Sequence, residues 1–177
     1  MGTIFIAGIY GVGKSTLCQQ LSKELNIPAY SAGDLISAIN GEQYGPNKVV
    51  ADKANNQAIL ALQVKKILTA NPQILLAGHF CIFDKNNNVD YLLKTIFLDL
   101  KIESILILEA AIPIIIENLS ARDRKRYTQQ QILGLQNAER EKALEISNGL
   151  GCKINIHNML FDGTDVQQCM SYIKKEG

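Results

Sequence analysis

The sequence predicts an α/β fold, an open sheet of parallel strands with helices on both faces. Two observations carry that expectation. Compact apolar runs alternate with helix-period segments along the whole chain, the order that builds parallel sheets. The stretch Gly8 to Thr16, GIYGVGKST, stands between a strand-like run and a helix. In such sheets ligands bind at the carboxyl ends of strands, beside the topological switch point. Asp34, His79 and Glu109 each follow a predicted strand and fall at that edge with the glycine stretch. At 177 residues the chain fits one domain, 1–177, and can bury a substantial core.

The elements follow in order. Thr3 to Ala7 is a short apolar run with β-branched residues and reads as a buried strand. After the glycine stretch, Leu17, Leu21 and Leu25 recur at helical spacing, and Asn26-Ile27-Pro28 stops that helix. Ala29 to Ser31 is a short strand, and Ala32-Gly33-Asp34 turns into a second helix. Gly41 to Pro46 reads as a loop. A long helix is expected from about Asn47 to Ala70. Ile59, Leu62, Lys66 and Ile67 share one register there, with Leu60, Val64 and Leu68 widening the apolar stripe. Ile74 to Ala77 is a buried strand closed by Gly78-His79, Asp84 to Asn88 a polar turn, and Tyr91 to Asp99 a short helix. Ser104 to Leu108 is the next strand, with Glu109 at its end and Pro113 at a helix start. Gln129 to Gly149 is one long polar helix with Ile132, Leu135 and Leu144 inward. Lys153 to His157 is the last strand, and Thr164 and Asp165 can cap a final helix through Ile173.

The glycine stretch has the spelling of a phosphate-binding loop: Gly, four residues, Gly, Lys, then Ser or Thr. Gly8, Gly11 and Gly13, with Val12 between them, let the backbone curl into a concave nest whose N–H groups face phosphate oxygens. Lys14 supplies a mobile charge for the β- and γ-phosphates, and the Ser15 hydroxyl is the expected ligand for Mg²⁺. Thr16 opens the helix beside the α-phosphate.

Composition narrows the classes. The net charge of +1 gives no electrostatic case for nucleic acid or an anionic membrane. The longest apolar run, Ile105 to Ile116, is broken by Glu109 and Pro113 and is too short to span a bilayer. Cys18, Cys81, Cys152 and Cys169 have no paired spacing, so reduced buried thiols are expected rather than zinc or disulfides. The expectation is a cytoplasmic protein, a monomer or homodimer, acting on a small molecule.

At this point the chain resembles a known family. The phosphate loop, Ser31 to Asp34 (SAGD), Gly78-His79 and Ala121 to Arg126 (ARDRKR) look like small P-loop nucleoside monophosphate kinases, closest to archaeal-type adenylate kinases and their ATP-binding relatives. The resemblance implies a P-loop NTPase fold with a five-stranded parallel sheet. It also implies ATP on the loop, an acceptor beside it, and an arginine-bearing lid at about 121–131. Gly33 and Asp34 match the acceptor-side Gly-Asp. Arg122, Arg124 and Arg126 become lid candidates, with Arg124 and Arg126 the catalytic pair beside Lys14. Relatives often carry Arg, Asp and Arg where this chain has Ser37, Ala77 and Asn118.

Other residues keep two readings. Gln57, next to Asn56, could read a base edge or sugar, or lie on the surface. His79 could orient the acceptor or act as base, or be a structural histidine. Glu109 could hold a water at Mg²⁺ or cap the next helix. The basic cluster could contact phosphate or be a solvated face, and Gln136 with Arg140 is a weaker pair one turn apart. The functional expectation is a kinase moving the γ-phosphate of ATP to a small acceptor, nucleoside monophosphates first. A nucleotide-dependent regulatory protein with little turnover is the alternative. A GTPase lacks its guanine-reading stretch here, and an AAA-type motor is disfavoured by length.

Overall fold

A computed structural model of the protein describes residues 2–40, 53–123 and 126–174. Strand β1 (Gly2–Ala7) is buried along its whole length, as its β-branched composition dictates. Helix α1 (Lys14–Leu25) buries Leu17, Cys18 and Leu21 and stops at Asn26, left-handed at φ 54°, whose N–H bonds the Ser22 carbonyl. Then come β2 (Ala29–Ser31), α2 (Ala32–Asn40), α3 (Lys53–Ala70) and β3 (Gln73–Ala77). The expected loop at 41–46 and the first turns expected for the long helix lie outside the described residues.

Helix α3 turns a slightly different face inward than its periodicity predicts. Leu60, Val64 and Leu68, one per turn, are buried, while Leu62 is 64% exposed. Beyond β3 the chain forms a hairpin that the sequence shows only as a turn. Strands β4 (Cys81–Phe83) and β5 (Val89–Tyr91) pair antiparallel. Asp84 closes the loop between them, its Oδ1 accepting from the Asn86 and Asn88 N–H groups at 2.8 Å each. Helix α4 is consequently shorter than expected, Lys94–Asp99.

Strand β6 (Ile102–Glu109), α5 (Ile112–Asp123), α6 (Gln129–Leu150), β7 (Lys153–Asn158) and α7 (Asp165–Lys174) complete the order. A capping box starts α6: Thr128 Oγ1 accepts from Gln131 N–H, and the Gln131 side chain accepts from Thr128 N–H. Ile132 and Leu135 are buried there as expected, but Leu144 is 39% exposed. At α7 the side chains of Thr164 and Asp165 serve the preceding loop. The Thr164 hydroxyl donates to Asp162, and Asp165 accepts from the Leu160 and Phe161 N–H groups and contacts His157.

Five strands form one sheet in the order β2-β3-β1-β6-β7, every neighbouring pair parallel. The chain thus moves outward from β1 to β2, fills in β3, and crosses β1 to reach β6. Helix α1 packs with α7, α2 with α3, and α5 with α6. An aromatic group, Phe5, Phe80 and Phe97, ties the sheet to the hairpin and α4, with ring centroids 4.7–5.8 Å apart. All four cysteines are free, and all but Cys152 are buried.

Candidate functional site

The carboxyl ends of β1, β3 and β6 converge where the strand order reverses. After Ala7 the chain enters the glycine loop through backbone that L-residues rarely adopt: φ is 146° at Gly8, 78° at Gly11 and 94° at Gly13. A Cβ on Gly8 would fall 2.6 Å from the Leu108 carbonyl, and one on Gly13 3.2 Å from the Phe161 ring. The Lys14 ammonium folds back and donates to the Gly8 and Ile9 carbonyls at 2.6 and 2.9 Å. Asn118, on α5, donates to the Gly11 carbonyl at 2.8 Å and steadies the loop from outside.

A cavity of about 800 Å³ opens at this edge. Gly11, Gly13, Lys14, Ser15 and Thr16 form its loop wall. Gly33, Asn56, Gln57, Gly78 and His79 face them across the space, and Met159, Phe161 and Val166 close a third side. The sequence candidates are therefore gathered unevenly. Gly8 and Val12 are part of the loop but stand behind the wall, with Val12 wholly buried. Asp34 lies in the first turn of α2 and does not line the cavity. Arg126 is exposed ahead of α6 and does not line it either; Arg124 lies outside the described residues. His79 is half-buried, its ring 4.4 Å from that of Tyr10. The amide nitrogen of Gln57 is buried with no hydrogen-bond partner among the described residues.

The positions where the kinase resemblance expects charged groups do local work instead. The Ser37 hydroxyl donates to the Gly33 carbonyl one turn back, at 2.9 Å. Glu109 does not cap α5: both its oxygens accept from Arg140, and the carboxylate is 3% exposed. That bidentate pairing raises the Arg140 guanidinium further above its ordinary range. Gln136 pairs with the Ala110 backbone, accepting from its N–H at 3.1 Å and donating to its carbonyl at 3.2 Å.

One residue at the site escapes the sequence reading. Glu139, on α6, is 2% exposed. Its Oε1 accepts from Gly8 N–H at 3.1 Å and Phe80 N–H at 2.9 Å, and its Oε2 from Phe80 N–H at 2.9 Å and Cys81 N–H at 2.6 Å. Burial pushes its pKa up to about 7, against the opposing pull of the Phe80 bond, the Lys14 charge and the other amides. A signal exists in the sequence: Ile132, Leu135, Glu139, Ala143 and Ile146 share one helical stripe, all buried. At the third side, where Asp165 also lines the cavity, burial works against its charge. Bonds from Leu160 N–H, His157 and Phe161 N–H outweigh it and hold its pKa below the ordinary carboxylate value.

A loop with three glycines at positive φ, followed by a lysine and two hydroxyls at a helix start, supplies the groups that hold a phosphate chain. Among the described residues no cluster of His, Cys, Asp or Glu is assembled that could hold a metal ion. No described helix is long and apolar enough to cross a membrane.

Comparison with known proteins agrees with that geometry. A family model described as AAA domain matches residues 7–133, from the last residue of β1 into α6. No curated protein sequence matches the chain. Among solved structures, the shikimate kinase from Acinetobacter baumannii in complex with shikimate superposes with a TM-score of 0.62 at 12% identity, covering 99% of this chain and 92% of that one. A gluconokinase from Sinorhizobium meliloti 1021 gives 0.59 at 10% identity over 98% and 92%. The shikimate kinase from Bacteroides thetaiotaomicron gives 0.60 at 12% over 98% and 96%. The fold is that of an α/β P-loop NTPase; the narrower likeness to archaeal-type adenylate kinases is not among these matches.

Proposed function

Because the chain belongs to the AAA domain family, and its cavity is lined by the phosphate loop together with Asn56, Gln57 and His79 from other elements, we propose that it is an ATP-dependent kinase for a small acceptor. That single cavity carries the reading. A protein that only binds nucleotide needs the loop wall; a kinase also needs space for an acceptor within reach of the γ-phosphate. Past the matched range, β7 joins the same sheet as its edge strand. The solved relatives in fold act on shikimate and, by name, gluconate, which supports a small-molecule acceptor.

ATP supplies the transferred phosphoryl group, and Mg²⁺ neutralises part of its charge. Gly11 and Gly13, which line the cavity, would present backbone amides to the phosphates, while Gly8, through its N–H to Glu139, and buried Val12 hold the loop from behind. Lys14 leaves its loop carbonyls for the β- and γ-oxygens, and Ser15 offers its hydroxyl to Mg²⁺. Gly33, Gln57 and His79 would make the acceptor side, with Asp34 next to it in the first turn of α2, and Arg124 and Arg126 would serve the transferred charge. Nucleoside monophosphates are the first acceptors to try, and shikimate and gluconate belong in the same panel.

The test is ADP release from Mg²⁺-ATP by the pure protein, alone and with AMP, CMP, GMP, UMP, dTMP, shikimate or gluconate. We expect at least a tenfold stimulation by one acceptor. Lys14→Ala should abolish nucleotide binding, measured by calorimetry. Joint replacement of Arg124 and Arg126 by alanine should cost turnover at least about 100-fold while changing ATP affinity much less. If ATP binds tightly and every acceptor leaves the rate flat, the regulatory reading takes over. Its support is that Ser37 and Asn118 bond local carbonyls, where relatives often place phosphate-holding arginines.

A further inference from the structure

Helix α6 ties three strand ends together along one face. Gln136, Glu139 and Arg140 stand at i, i+3 and i+4, so their side chains leave the helix on the same side. Gln136 and Arg140 fasten α6 to Ala110 and Glu109, at the end of β6. Glu139 reaches two other segments. Gly8, which opens the phosphate loop after β1, and Phe80 and Cys81, which follow His79 after β3, all donate backbone N–H groups to its carboxylate.

We propose that Glu139 is a positioning residue: it fixes the phosphate loop against the turn carrying His79, and so sets the spacing between the donor and acceptor sides of the cavity. The physical need is plain. These N–H groups belong to the loops after β1 and β3 and to the first residue of β4, and a buried amide without an acceptor is costly. A leucine of similar volume would leave them unpaired and free the two segments to move apart. A carboxylate has lone pairs enough for all of them. The groups that face it are the Lys14 ammonium from the loop and the Cys81 thiol from β4, with Lys142 and Asp90 acting on that thiol. Because phosphoryl transfer depends chiefly on positioning, an error of about 1 Å in this spacing is worth on the order of 100-fold in rate.

The purpose of the brace rests on the kinase reading, but the brace itself is measurable without turnover. The uniformly ¹⁵N-labelled chain is titrated from pH 5.5 to 8.5. The amides of Gly8, Phe80 and Cys81 should shift with one common midpoint, although they lie on separate segments. Adding a Mg²⁺-bound non-hydrolysable ATP analogue should move the Phe80 and Cys81 amides together with Gly8. In Glu139→Gln the common midpoint should vanish and the analogue's effect should stay within the loop. With the preferred acceptor, kcat of this variant should fall at least about tenfold with KM for ATP within about threefold, and Glu139→Asp should recover part of the loss. Independent midpoints in the wild type, or an unchanged response at Phe80 and Cys81 in Glu139→Gln, overturn the proposal. The wild-type titration decides even if the variant does not fold. A wild type that transfers no phosphate to any acceptor sinks the kinase reading instead, and the shared midpoint still tells whether the brace exists.

Discussion

Single side chains at this site act by what they exclude as much as by what they hold. Gly78 closes β3 immediately before His79, and a Cβ there would lie 2.6 Å from the Phe5 ring edge. Phe5 cannot yield, being packed against Phe80 and Phe97. Gly78→Ala should therefore destabilise the protein by about 1–3 kcal/mol through overpacking, read as a lower urea midpoint. An unchanged midpoint would mean that the turn relaxes freely, and that it does not set the position of His79. At this scale the sequence is informative where backbone geometry dictates the residue. Gly8, Gly11 and Gly13 are legible because only glycine suits their positive φ beside close neighbours. Glu139 and Glu109 are not legible in the same way. A glutamate on a polar helix or at a strand end reads as solvated, and only partners contributed by distant segments bury it. The readings of Glu109 as a cap or a Mg²⁺ aid fail because Arg140, 31 residues later, takes both oxygens.

Length makes most elements legible, though the three-residue β2 is read with its bounds because Pro28 and Gly33 frame it. Strands β1, β3, β6 and β7 and helices α1, α5 and α6 are read within a few residues because each carries several periods of its pattern. The β4–β5 hairpin, three residues a side, carries almost none, and its loop displays only polar character. Helix α3 shows a subtler failure. Its apolar residues surround much of the helix, so periodicity alone cannot say which face turns inward; packing against α2 and α4 decides that. The difference is measurable. Leu60→Ala should cost about 2–5 kcal/mol, whereas Leu62→Ala, at 64% exposure, should stay within about 0.5 kcal/mol. Equal costs would place the two residues on the same buried face. Helix α6 begins with a reciprocal cap at Thr128 and Gln131. Thr128→Ala should lower stability by about 1 kcal/mol by chemical denaturation.

At the scale of the whole molecule, the alternation of strands and helices left few topologies open, since parallel strands require crossovers of one hand. The ionisable groups buried inside that architecture could not be counted from the sequence, yet they govern how stability responds to pH. Glu139 acts between acid and neutral pH. Burial raises its folded pKa to about 7, from an ordinary 4.5. Between those values the native state keeps a proton that the unfolded chain releases. This group's contribution is therefore fully present below pH 4.5 and is lost as pH rises through 7. The difference between the two limits is on the order of 3 kcal/mol. Asp165 acts in the opposite sense. Its folded pKa lies below the ordinary 3.8, so the stability it gives is present above that value and disappears as pH falls further. The two windows do not overlap. Urea midpoints measured from pH 3 to 8 should rise through the acid limb, pass a maximum near pH 4 to 5, and decline toward neutrality. In Glu139→Gln the decline should flatten while the acid limb stays in place, because Asp165 keeps its bonds to Leu160, Phe161 and His157. A decline that persists unchanged in the variant would assign it to another group and leave Glu139 titrating alike in the folded and unfolded chain. A flattened decline would instead assign it to Glu139, whose carboxylate then takes up charge near neutral pH at the expense of stability.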